Sequence, residues 1–299
     1  MTQSYTAAET VEDALAALAN GARPVAGGTD LVVGARQGKA PLPGSIVAIH
    51  RLADLRGVVL DGETLRLGAL TTHEEIAEHA LVLERLTALA DAAAIVGSHA
   101  TRAQGTVGGN LMNASPAMEV GGPLMCFGAA VTLQSQSSER SVAVADLFAG
   151  PGKTTAGPGE LLTHVAVPLP PEATGSCYAR LEYRQQMEIA VVGATAVVTL
   201  AGDRVRAAKL AITALAPTVR LVPAAEEALV GSDGGRAAAE LAAQAAAEAS
   251  EPISDVRASE QYRRAMAAVL ARRAIEAAVA RARGVSVPVP ASRSLHAAG

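Results

Sequence analysis

Ala26-Gly27-Gly28-Thr29-Asp30-Leu31 and, about eighty residues further on, Thr106-Val107-Gly108-Gly109-Asn110-Leu111 are the two stretches that decide how this chain is read. The first leaves a short apolar approach, Arg23-Pro24-Val25, of the kind a strand makes. The second runs on into Asn113-Ala114-Ser115-Pro116-Ala117-Met118-Glu119. Paired glycines let backbone approach a bulky ligand and adopt positive φ, so that successive N–H groups converge on one anion. The Thr, Asn and Ser beside each pair add side-chain donors for the same oxygens. Two such loops suit a ligand with two phosphates, gripped from both sides. Neither matches Gly-x-Gly-x-x-Gly, which disfavours an ordinary dinucleotide-binding Rossmann turn.

Composition narrows the class. The 299 residues are half hydrophobic and 18% charged, enough for one large or two ordinary globular domains. A net charge of −4 with no run of Lys or Arg argues against a nucleic-acid surface. No apolar stretch is long enough for a membrane helix, and the N-terminus lacks a signal-peptide succession, so a cytoplasmic location is expected. Cys126 and Cys177 show no Cys-x-x-Cys spacing and read as small buried hydrophobes. The six scattered histidines form no His-Glu-x-x-His pattern, and a metal site built by this chain is not expected.

Working outward, residues 6–20 read as a helix with Thr6 and Glu9 as a capping box and Gly21 as the stop. Short strands are expected at 24–26, 46–49 and 65–69, and helices at 73–79, 83–95 and 118–128. The last of these would point a favourable dipole at phosphate. Strands return at 130–134, 140–144 and 161–167. The run Pro168-Leu169-Pro170-Pro171-Glu172-Ala173-Thr174-Gly175-Ser176 marks a domain boundary. Beyond it lie three strands at 177–184, 191–200 and 204–214, then helices at 222–230, 236–248 and 258–283. Strands followed by helices predict an α+β layer with the helices on one face of a three-stranded antiparallel sheet. Pro288 and Pro290 mark an extended or disordered tail.

The two glycine motifs and this order of elements resemble the FAD-binding medium subunit of the molybdenum hydroxylases, the xanthine dehydrogenase and carbon monoxide dehydrogenase family. The resemblance covers essentially the whole chain. It implies an α+β fold: a two-part FAD-binding domain of the PCMH type over 1–170, a smaller C-terminal α+β domain over 175–283, and a tail over 284–299. It implies that Ala26, Gly27, Gly28, Thr29, Asp30, Leu31, Val32 and Val33 wrap the FAD pyrophosphate and reach the flavin. Thr106, Gly108, Gly109 and Asn110 would grip the second phosphate side, with Ser115 in the same motif. Glu119 would face the ribityl or adenosine portion, Leu162 the adenine or isoalloxazine, and Arg180 the reduced flavin as a stabilising cation. It also implies an electron-transfer role. A small [2Fe–2S] subunit and a large molybdopterin subunit would be partners in a heterotrimer or a doubled one. With two cysteines this chain cannot hold an ordinary cluster of its own.

Plainer readings of the same residues stand beside these. The glycine pairs also make tight turns, and Asp30 also caps a helix. Gly150-Pro151-Gly152-Lys153-Thr154-Thr155 imitates the end of a Walker A loop, but position 147 is Leu and Pro151 lacks a donor, so a surface turn is expected. Ser98-His99 has no nucleophile elbow. Arg180, Glu182, Arg184 and Glu188 read equally well as an exposed strand face with paired charges. Tyr183 reads either as a flavin shield or as core. The rival functions are a stand-alone FAD-dependent oxidoreductase of the same fold and a nucleotide sensor or NTPase using residues 147–154.

Overall fold

The computed structural model describes residues 4–38, 40–292 and 295. The chain opens with β1 (Ser4–Ala7), α1 (Val11–Ala19), β2 (Arg23–Val25), α2 (Leu31–Arg36) and β3 (Ser45–Ala48). These strands form a parallel sheet in the order β1-β3-β2 over a small core that includes Leu15, Leu18, Val47 and Leu55. The first helix starts later than its sequence suggests. Thr6 lies in β1 opposite Val47, and the cap is Thr10, whose hydroxyl accepts the Asp13 N–H at 3.1 Å. Thr6-x-x-Glu9 and Thr10-x-x-Asp13 both carry the capping pattern. Pairing with β3 takes the first of them.

The second unit runs β4 (Val58–Asp61), β5 (Thr64–Gly68), α3 (His73–Glu78), α4 (Ala80–Arg85), α5 (Thr87–Ala93), α6 (His99–Arg102), α7 (Val107–Asn113) and α8 (Gly121–Cys126). It continues with β6 (Ala130–Gln134), β7 (Glu139–Ala143), α9 (Val144–Leu147), β8 (Phe148–Gly150), β9 (Lys153–Thr154) and β10 (Leu161–Pro168). Its antiparallel sheet has the order β4-β5-β10-β6-β7, so the strand latest in sequence sits at the centre. Leu161, Leu162, Val165 and Val167 of β10 are accordingly buried, the two valines wholly so. Pro151 and Gly152 form the turn between β8 and β9, and the Gly152 N–H bonds the Ala114 carbonyl at 3.0 Å. The Walker-like stretch is a hairpin tip.

The third unit is β11 (Thr174–Leu181), β12 (Val192–Ala201), β13 (Arg204–Thr213), β14 (Arg220–Leu221), α10 (Pro223–Leu229), α11 (Arg236–Glu248) and α12 (Glu260–Ala282). The sheet has four strands rather than three, because β14 adds a two-residue edge to β13. Two residues carry no periodicity, which is why the sequence hides it. Alternate residues of this sheet enter different cores, as period-two side chains do. Cys177, Ala179 and Ile212 pack against the helices, whereas Tyr178 and Ala211 enter the core of the second unit. Helices α10 to α12 cover one face and α5 with α8 cover the other, so the sheet is buried on both sides.

Alanine makes the helical layer possible. Ala239, Ala242, Ala243 and Ala246 line the buried side of α11, and Ala267, Ala271, Ala274 and Ala278 line that of α12. Alanine has the highest helix propensity and the least bulk, so these helices form readily and approach closely. The tail differs from its expectation. Arg281 donates to the carbonyls of Val287 (3.1 Å) and Pro288 (3.0 Å), and Ala291 is wholly buried. Residues 293, 294 and 296–299 of that tail, His296 among them, lie outside the described residues. No helix among the described residues is long and apolar enough to cross a membrane.

Candidate functional site

The two glycine segments meet. Residues 69–73, which leave β5, lie alongside 105–108. Gly108 N–H bonds the Ala69 carbonyl (2.9 Å), Val107 N–H the Thr71 carbonyl (3.0 Å), and His73 N–H the Gly105 carbonyl (3.0 Å). This ladder carries Gln104–Thr106 against the first segment. A Cβ on Gly27 would fall inside the carbonyl oxygen of Gln104, so only glycine permits the approach. Thr29 comes in beside Gly105 from the same side.

The two segments offer different chemistry. Among the described residues, no hydrogen-bond acceptor takes the backbone N–H groups of Gly27, Gly28, Thr29, Asp30 or Leu31. Five successive unpaired donors at a turn are an anion-binding concavity. The second segment is not a loop but the start of α7, and its amides are already used. Val107 and Gly108 bond as above, Gly109 N–H bonds the Thr106 hydroxyl (3.1 Å), and Asn110 N–H bonds the Thr106 carbonyl (2.9 Å). Gly108 is glycine because a Cβ there would sit 2.8 Å from Ala69. What this segment can still offer is side chains: Thr106, and Asn110, whose buried Oδ1 has no partner. Backbone donors stand on one side and polar side chains on the other.

Where the segments meet opens a cleft of about 330 Å³, whose lining includes Ala26, Gly27, Gln104 and Thr106 together with His50 and Arg56. The last two were not among the sequence candidates. Neither lies in a recognisable motif, and only the docking of turn 53–56 onto β5 brings them here. Asp30 stands at the N-terminus of α2 but makes no side-chain cap bond, so its helix-capping reading is not met. Burial pushes its carboxyl above the usual range. Val32 and Val33 are exposed on α2. Ser115 caps a local turn, accepting the Ala117 N–H at 3.3 Å.

The remaining candidates sit deeper. Leu162 is buried in β10 beside Leu133 of β6. Arg180 is fully buried, so the charged series from 180 to 188 is not an exposed strand face. Its Nη1 donates to Glu119 at 2.7 Å and its Nε to Glu182. Burial pushes the Glu119 carboxyl up, and the Arg180 guanidinium opposes that shift. Glu119 and Arg180 therefore engage each other, joining the second unit to the third. Tyr183 is not core: it is 66% exposed and its hydroxyl donates to the Arg257 carbonyl. The N-terminus of α8 packs on the third unit's sheet, with Gly122 against Thr195. Ser98 is the N-cap of α6, accepting the Thr101 N–H, and is not a nucleophile.

Burial, with the Arg102 guanidinium adding to it, lowers the pKa of His73 from 6.5 to about 4. A depressed folded-state pKa means the unfolded chain binds the proton first as pH falls. Stability is therefore fully present above pH 6.5 and is lost between there and about 4, by roughly 3 kcal/mol at most. Melting temperature followed against pH should fall in that window, and less steeply in His73→Asn. Parallel curves for the two proteins would refute the assignment.

A parallel α/β unit with a donor-rich turn, a second unit around an antiparallel sheet and a helix-backed antiparallel sheet fit a protein that binds a phosphate-bearing ligand. Comparison makes this specific. The FAD binding domain in molybdopterin dehydrogenase matches residues 1–170, and the CO dehydrogenase flavoprotein C-terminal domain matches 177–278. The carbon monoxide dehydrogenase medium chain of Afipia carboxidovorans is 31% identical over 93% of this chain and 97% of its own length. The xanthine dehydrogenase FAD-binding subunit of Escherichia coli is 30% identical over 94% and 97%. The solved CO dehydrogenase from Oligotropha carboxidovorans superposes with a TM-score of 0.90 at 30% identity, covering 94% of this chain and 99% of that one. The chain belongs to the family of FAD-binding medium subunits of the molybdenum hydroxylases, and is the flavoprotein part of an oxidoreductase.

Proposed function

We propose that this chain holds FAD between its two glycine segments. In our reading it receives electrons from the iron–sulfur clusters of a small partner subunit and passes them to an external acceptor. The substrate is oxidised at the molybdopterin centre of a large partner subunit. FAD supplies the chemistry that this relay needs, since a flavin accepts electrons singly and releases them in pairs. The observation that carries the reading is the row of unpaired amides from Gly27 to Leu31, which fits a pyrophosphate and has no protein acceptor to explain it.

The protein's part is to bind and orient. Gly27 and Gly28 admit the phosphates to the backbone, and Thr29, Thr106 and Asn110 supply side-chain groups around them. Ala26, Asp30, Leu31, Val32 and Val33 continue the wrap, while Gly108 and Gly109 serve by letting α7 pack close. Ser115 shapes the turn that leads to Glu119. Glu119, Arg180 and Leu162 act from beneath, with the buried ion pair fixing the seam where the second and third units meet. The relatives' names, medium chain and FAD-binding subunit, support an assembly with two other chains. We infer a cytoplasmic location, which the free and buried Cys126 and Cys177 fit.

Purification of the chain, a visible spectrum, and identification of what heat releases test the core of this. Flavin bands with free FAD in the supernatant are expected. A protein that stays colourless after incubation with FAD would remove the basis for the whole reading.

A further inference from the structure

The donors from Gly27 to Leu31 are neutral amides, and the titratable side chain closest to them in sequence is Asp30, an acid. A pyrophosphate diester brings two negative charges into this half-enclosed place. Amides orient such a group, but they do not neutralise it. Charge-assisted bonds from a guanidinium are about twice as strong as neutral ones and match phosphate oxygens in pairs. Among the described residues that line the cleft, Arg56 is the one permanent cation.

Its position is built rather than incidental. The backbone around Arg56 is docked twice onto β5 and its exit: Leu70 N–H bonds the Leu55 carbonyl at 2.7 Å, and Gly68 N–H bonds the Gly57 carbonyl at 2.9 Å. The Arg56 N–H closes the turn on the Ala53 carbonyl at 3.0 Å. The side chain is then fixed by one bond, Nη2 to the His50 carbonyl at 2.8 Å. A guanidinium has five N–H donors, so that anchor leaves the face of the group available to an anion in the cleft. Arg102, the guanidinium beside His73, is buried, donates to the Val96 carbonyl at 3.1 Å, and is not part of the cleft wall.

We propose that Arg56 is the phosphate-binding cation of this site, reaching a dinucleotide pyrophosphate from within the cleft that it lines together with Gly27. The assignment rests on the reading of the site as an FAD site and adds to it the residue that answers the ligand's charge. His50 serves as the positioning partner through its main-chain carbonyl, which a side-chain substitution leaves in place.

The test uses the full chain stripped of flavin, with FAD binding followed by fluorescence quenching at low and high ionic strength. Inorganic-phosphate-free ADP, which carries a pyrophosphate and no flavin, serves as the competitor. Arg56→Ala is expected to weaken both FAD and ADP about tenfold or more at low salt, the scale of one charge-assisted bond. It should also flatten the salt dependence, because the screened charge is gone. Arg56→Lys should recover much of the loss, and Arg56→Gln, which keeps donors without charge, should behave as the alanine variant does. Because Arg56 is exposed, the variants should keep the wild-type melting temperature, which separates a binding defect from a folding one. Wild-type affinity and salt dependence in Arg56→Ala would overturn the assignment while leaving the FAD reading intact. Failure of the wild-type chain itself to take up FAD would overturn both.

Discussion

Gly27→Ala should purify folded and without flavin. The added Cβ would overlap the carbonyl oxygen of Gln104, so main chain must move on one side or the other. Neither side yields cheaply. Gly105 is held by its amide to the Thr101 carbonyl at 2.6 Å and its carbonyl to His73 N–H, and β2 is held in register by β3. Overpacking against fixed backbone costs about 1–3 kcal/mol, and here the shift separates the two halves of the ligand site. We expect flavin affinity to fall by two orders of magnitude or more, about 3 kcal/mol. Gly28→Ala is the control. Its φ is +71°, and a Cβ would meet only the side chains of Val32 and Val25, at 3.5 and 3.6 Å. That change carries about 1–2 kcal/mol of left-handed backbone strain and no collision. The flavin-to-protein ratio by visible absorbance, with melting curves for both variants, reads the difference. Stoichiometric flavin in Gly27→Ala would show that the segments do not need their contact.

The contrast between the glycine pairs also shows what the sequence conceals. Both pairs read as loops, since glycine costs a helix interior about 1 kcal/mol relative to alanine. At Gly108 and Gly109 that preference is overridden, because Gly108 is pressed on Ala69 and Thr106 caps the first turn. The motif brings the two segments to attention but does not reveal that the amides of the second are already paired. The long elements were legible for good reason: α11 and α12 repeat alanine on one face, and β10 and β12 are long and largely apolar. β1 and β4 were not, because both are short and largely exposed and lack the alternation of a half-buried strand. The partners of buried charge were equally hidden. Arg180 finds Glu119 across 61 positions, and no local pattern announces a pairing of that range.

The longest of these pairings sets the second large effect. Asp91, wholly buried on α5, accepts from Arg281 of α12 at 2.6 and 3.1 Å, from Tyr178 N–H at 3.2 Å and from Ala291 N–H at 2.9 Å. One carboxylate thus ties the second unit to a strand, a helix and the tail of the third. Burial pushes its pKa up, opposed chiefly by its bonds to Arg281. A buried pair of this kind adds little over a well-packed apolar substitute, but removing one member strands the other charge. Arg281→Leu should therefore destabilise the chain by about 3–5 kcal/mol. It also removes the bonds that hold Val287 and Pro288, so the tail should become sensitive to protease. Asp91→Asn in the Arg281→Leu background removes the stranded charge and should restore part of the loss. Denaturant unfolding of the single and double variants measures this, with the coupling read from the cycle. If the two changes simply add, Asp91 and Arg281 contribute independently, and the Asp91–Arg281 pair does not couple the second unit to the third.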